Sequence, residues 1–119
     1  MDNFKLYDGE YRFMELIWRM QPVNSTHLVK TAFLELGWKK STCYTVLKKL
    51  KERGFVKNEQ AVVTALVLRE DVQKFESEAV VKKSFGGSLP AFLSAFLTGK
   101  KLSLEEAEEI RRMIEEASR

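Results

Sequence analysis

The feature that most constrains this chain is a change of period at Gly54. From Ser41 to Arg53 the apolar residues Cys43, Val46, Leu47 and Leu50 recur at helical spacing, and Gly54 follows the last of them. Directly afterwards the pattern becomes extended. Phe55-Val56-Lys57 reads as a short strand, Asn58-Glu59-Gln60 as a polar turn, and Ala61 to Leu68 as a returning strand rich in valine and leucine. A helix that runs straight into a two-stranded hairpin leaves few small folds open.

Two more helical segments come first. Tyr11, Met14 and Trp18, with Phe13 and Ile17 beside them, give an apolar stripe from about Gly9 to Met20, with Asp8 as the expected cap. Gln21-Pro22 ends that segment, because proline has no amide hydrogen to give. Asn24 or Ser25 then caps a second helix. Leu28, Val29, Ala32, Phe33 and Leu36 are expected inward, and Gly37 sits where a left-handed C-terminal cap belongs. The third helix takes Ser41 as its expected N-cap. Three helices followed by a hairpin is the order of a winged helix-turn-helix, and it fills residues 1–69.

Residues 70–119 read as helical. A fourth helix begins at Arg69-Glu70-Asp71, with Val72, Phe75 and Ala79 expected inward. Gly86-Gly87 interrupts the chain. Ser88 and Pro90 open a very apolar fifth helix from Leu89 to Leu97, and Ser103 with Glu106 three residues on opens the last. Leu89, Phe92, Leu93, Phe96 and Leu97 crowd one short helix. Leu104, Ala107, Ile110 and Ile114 make a narrow seam of coiled-coil type on the other. These nine residues exceed what a two-helix appendage can bury by itself, which points to a dimerisation surface; packing within their own domain is the alternative. The fold class is therefore mainly α, a winged helix with a C-terminal helical dimerisation region.

Charge adds a function. The 119-residue chain carries a net charge of only +3, but unevenly. Between Trp38 and Lys57 seven lysines and arginines face one glutamate; between Ser103 and Arg119 six glutamates face three arginines. A basic middle and an acidic tail suit a localised polyanion site with a segment kept off it. In the third helix Ser41, Tyr44, Thr45 and Lys48 point away from the apolar side, with Thr42 and Lys49 on the flank. Small hydroxyls near the start can approach base edges, and later lysines can meet phosphates. Lys39 and Lys40 add phosphate anchors. Lys57 is the single cation of the hairpin, so its grip on DNA is expected to be weak. An ordinary solvated face is the competing account of this surface.

Other chemistry is poorly supplied. The single cysteine, Cys43, excludes an internal disulfide and reads as a buried thiol, and the single histidine, His27, as a surface residue. No metal set, cofactor motif or catalytic constellation is visible, and no stretch approaches the ~18–20 apolar residues of a membrane span. The expectation is a cytoplasmic non-enzyme without cofactors. Phe13, Trp18, Phe33 and Trp38 are expected in the core.

Several segments together resemble the penicillinase-repressor family. Glu10-Tyr11-Arg12-Phe13-Met14-Glu15-Leu16-Ile17-Trp18 looks like its opening motif, and Ser41-Thr42-Cys43-Tyr44-Thr45-Val46-Leu47-Lys48-Lys49-Leu50 like its recognition helix. Gly54-Phe55-Val56 matches the exit into the wing. Ser88-Leu89-Pro90-Ala91-Phe92-Leu93 through Leu102-Ser103-Leu104-Glu105-Glu106 is similar to its dimerisation region. The resemblance implies a homodimeric repressor on a palindromic operator of double-stranded DNA. In antibiotic-responsive members it implies release through a sensor-protease pathway answering β-lactam or cell-wall antibiotics. The copper-responsive members carry a C-terminal cysteine cluster that this tail lacks. Lys49 stands where the family often has arginine, which removes a bidentate donor. A winged helix that binds a small effector directly, or one used as a protein-interaction module, is the alternative; the basic third helix speaks against the module.

Overall fold

The computed structural model describes residues 3–119. Its elements run α1 (Asp8–Met20), β1 (Val23–Asn24), α2 (Ser25–Leu36), α3 (Lys40–Glu52), β2 (Val56–Glu59), β3 (Val62–Ala65), α4 (Arg69–Phe85), α5 (Leu89–Leu97) and α6 (Leu104–Ala117). The strands form one antiparallel sheet in the order β1-β3-β2. The chain divides into two compact units, one ending at Ala79 and one running from Val80 to Arg119.

The first unit is a winged helix around one core. Phe13, Met14 and Ile17 of α1, Leu28 and Ala32 of α2, and Cys43 and Leu50 of α3 meet Phe55, Val56, Val63 and Val72, all fully buried. Trp38 stacks on Phe13 with ring centroids 5.4 Å apart. The indole N–H of Trp18 donates to the Val67 carbonyl at 3.0 Å. The Gln21 side-chain oxygen accepts the Ala65 N–H at 2.8 Å, so the end of α1 is tied to β3.

Helix ends follow local chemistry with two exceptions. The Asn24 side chain accepts the Thr26 N–H at 2.8 Å, and Gly37 caps α2 at φ +71°, where a side chain would be strained. Asp8, however, is the first residue inside α1. Tyr7 holds the cap position, and its N–H donates to the Glu10 carboxylate at 3.0 Å. Ser41 is likewise not a cap: α3 starts at Lys40 after an extended Lys39, one residue before the hydroxyl.

The hairpin is tighter than its sequence suggests. Glu59 pairs with Val62, so Gln60 and Ala61 alone make the turn, both at positive φ (51° and 63°). The returning strand ends at Ala65, short of Leu68. The Ala61 carbonyl accepts the N–H of buried Ser25 at 2.8 Å, which fastens the wing tip to the start of α2. Two inward assignments fail. Phe33 is 62% exposed, because its position lies to one side of the buried row of Leu28 and Ala32. Ala79 is exposed on α4, whereas Phe75 is half-buried and meets Phe4 at 6.3 Å.

In the second unit, Ser88 caps α5 by accepting the Ala91 N–H, and Ser103 caps α6 by accepting the Glu106 N–H, both at 3.1 Å. Phe92 sits edge-on to Phe85 and stacks beside Phe96, with centroids 5.5 and 5.9 Å apart. No residue of this unit is buried.

Candidate nucleic-acid interface

Three buried side chains of α3, Cys43, Leu47 and Leu50, fix which way the helix faces. With about 100° between successive residues, Ser41, Tyr44, Thr45 and Lys48 fall on the arc opposite that buried row. All four are exposed, as are Thr42 and Lys49 on the flank and Lys39 and Lys40 at the start. A helix pinned by one side presents the other to solvent, so the backbone of α3 sets where these side chains start. The structure also places Lys39 and Lys40 at the N-terminal end of α3, where backbone amides without helical partners favour an anion.

Thr45 carries a constraint that its sequence position does not reveal. Its hydroxyl donates to the Ser41 carbonyl at 2.9 Å. The hydroxyl proton is thereby committed to the helix backbone, which leaves Thr45 an acceptor oxygen and a methyl group for anything docking on the face.

The wing adds little positive charge. Burial alternates along β2, with Val56 inward and Lys57 outward. Glu59 is exposed on the same side as Lys57, two residues on, so the two formal charges offset each other locally. Arg53 also leaves the basic surface. It is half-buried, and its guanidinium binds both oxygens of the Glu10 carboxylate at 3.0 and 3.1 Å. It also donates to the Lys5 carbonyl. Counting charges along the sequence includes Arg53 in the basic stretch; its partner lies 43 positions away and no local signal announces it. Lys30 of α2 goes the other way: distant in sequence from Lys40, it lines the same shallow cleft.

Cys43 is fully buried, and burial pushes its thiol above the usual range, so it is a poor nucleophile. Among the described residues no group of three or more His, Cys, Asp or Glu is placed to hold a metal ion, and no helix is long and apolar enough to cross a membrane.

The nine residues expected at a dimer surface all lie in the second unit. Leu104 is 87% exposed, and Leu89, Phe96, Leu97 and Ile114 are exposed as well; Phe92, Leu93, Ala107 and Ile110 are half-buried. Leu93, Phe96, Leu97, Ile110 and Ile114 line an open cleft of about 560 Å³ between α5 and α6.

Comparison with known proteins identifies relatives that match nearly the whole chain. The methicillin resistance regulatory protein MecI of Mammaliicoccus sciuri is 22% identical over 120 residues, spanning 96% of this chain and 98% of that protein. The protein of the same name from Staphylococcus epidermidis matches equally. The penicillinase repressor of Bacillus licheniformis is 24% identical over 116 residues, spanning 94% of this chain and 91% of that protein. These relatives are named as regulators, not enzymes. The penicillinase repressor family model matches residues 7–116, from the N-cap of α1 almost to the end of α6, and the chain therefore belongs to the penicillinase repressor family.

Proposed function

We propose that this chain is a transcriptional repressor that binds a palindromic operator in double-stranded DNA as a homodimer. The observation that carries this is the exposed arc of Ser41, Tyr44, Thr45 and Lys48 on a helix whose opposite side is locked into the core. Hydroxyl groups toward the start and lysines beyond them suit an element that lies in a major groove, with base edges near its first turns and phosphates along its flank. Lys39, Lys40, Lys48 and Lys49 are the phosphate anchors, and Lys57 is a minor one.

Within residues 70–119, the second unit, Val80–Arg119, joins the two subunits. A unit without a buried side chain, exposing Leu104, Phe96 and Ile114, gains its core from a second copy. The names of the relatives, a methicillin resistance regulator and a penicillinase repressor, support a role in a β-lactam or cell-wall antibiotic response, and a repressor acting on DNA belongs in the cytoplasm. By family resemblance the inducing signal arrives through a sensor-protease pathway.

The test is a fluorescence-anisotropy titration of the full chain on duplex DNA from upstream of its own gene, repeated across salt concentrations. Binding should weaken steeply with salt. Lys48→Ala with Lys49→Ala should lower the log–log slope by about two, roughly one for each phosphate that is no longer neutralised. Equal affinity and an unchanged slope in the double variant would remove α3 from the DNA interface.

A further inference from the structure

Helix α2 places two large apolar side chains in water. Leu34 is 80% exposed and Phe33 is 62% exposed, although Leu28 and Ala32 of the same helix are fully buried. Single exposed leucines are common on protein surfaces; adjacent large ones beside a cleft are not. Phe33, Leu34 and the edge of Val29 form the apolar floor of a shallow cleft of about 440 Å³, and Lys30 and Lys40 line it with them. Between Val29 and Lys40 the only carboxylate is Glu35, and it is paired with Arg19 at 2.5 Å. The cleft is thus apolar at its base and positive at its edge.

We infer that this cleft is a docking site for an acidic protein segment that carries a bulky apolar anchor. The anchor would bury Phe33 and Leu34, and carboxylates beside it would meet Lys30 and Lys40. The charge argues against the other occupants. A symmetric contact with a second copy would bring the lysine pairs of the two copies toward each other. A nucleic-acid backbone would match the lysines but leave the apolar floor uncovered. Lys40 is also the first residue of α3, so a docked segment stands against the face assigned to DNA and competes with it. That consequence, and only that, rests on the function proposed above. The cleft would then give the chain a protein input on its first unit, separate from any event in residues 80–119.

Two short helical peptides with the same Leu/Phe face test it, one with glutamates and one with lysines on the polar face. They are titrated against the full-length chain with and without labelled duplex DNA. The acidic peptide should bind at least about tenfold tighter than the basic one, and salt should erode the difference. Leu34→Ser and Phe33→Ser should each weaken it by about tenfold while DNA affinity stays as in the parent. Lys30→Glu, a change on an exposed residue that leaves the core alone, should reverse the preference between peptides. Equal binding of both peptides, or an acidic peptide indifferent to Leu34→Ser and Lys30→Glu, overturns the site. So does sedimentation in which Phe33→Ser dissociates a larger assembly of the parent, since a second copy would then be the occupant. A chain that binds the acidic peptide but no DNA leaves the docking site standing and removes the proposed function instead.

Discussion

Arg53, at the C-terminal cap of α3, and Glu10, in the first turn of α1, form a two-pronged ion pair at 3.0 and 3.1 Å, with side chains only 32% and 12% exposed. The guanidinium also lies over the Phe55 ring, 4.7 Å from its centroid. One residue therefore ties the end of α3 to α1, to the N-terminal segment and to the start of the wing. Removing one partner leaves the other partly buried and unpaired. Arg53→Ala should cost about 1–3 kcal/mol in denaturant unfolding. A double-mutant cycle with Glu10→Ala should show clear coupling; additive losses would mean that the two residues act separately.

Thr45 is predicted to act through its methyl group, since its hydroxyl proton is held by the Ser41 carbonyl. Thr45→Val should keep discrimination between operator and random DNA. Thr45→Ala should lose about 1–3 kcal/mol of it, in the range of one directly read base. Competition binding measures this. A valine variant as impaired as the alanine one would show that the oxygen matters instead.

Ile110 and Ile114 sit on the open cleft of the second unit. Burying a large apolar side chain contributes ~1.5–3 kcal/mol, counted once per subunit in a symmetric dimer. Ile110→Asp with Ile114→Asp should give a monomer at micromolar concentration, still folded through Ala79, with much weakened operator binding. Sedimentation alongside circular dichroism checks both halves. A parent that sediments as a monomer while binding its operator tightly would contradict the dimer.

Burial, and then the Asp8 carboxylate, raise the acid of Glu76 above the usual glutamate range. The folded chain therefore holds that proton more tightly than the unfolded chain does. The stabilising contribution is complete below the unfolded pKa and is lost as pH rises through the folded one. Glu76→Gln should raise the thermal midpoint at neutral pH, with the advantage shrinking as the solution is acidified. A pH-independent difference between variant and parent would assign the effect to packing.

Much of the fold was legible where local chemistry acts alone. Ser88, Pro90 and Gly37 mark helix ends because a hydroxyl, a missing amide and a left-handed backbone each do one thing. Ser41 misled because a hydroxyl looks like a cap wherever a helix begins, while Lys39 fills that place without using its side chain. Phe33 misled because its spacing from Leu36 is helical, and spacing cannot say that the buried row runs past it. β1 has two residues, too few to show a period, and exists only because Val23 and Asn24 pair with Val63 and Val62. Gln60-Ala61 turns without the Gly or Asn that such a turn favours, so composition is silent there. At the candidate site the exposed face of α3 follows from periodicity. The capture of Arg53 by Glu10 and the nearness of Lys30 to Lys40 do not, being made by tertiary packing.

The hydrogen bond from Ser25 to Ala61 limits how the wing can be lengthened. Surface hairpins usually accept insertions at their tips, because the cost of a longer loop grows slowly. Here the tip is also the acceptor for a backbone donor of a buried residue. A residue added between Gln60 and Val62 would carry that carbonyl away and leave the amide of Ser25 open. Wing length and the first turn of α2 are therefore coupled: an insertion at the tip calls for a new acceptor at the start of α2.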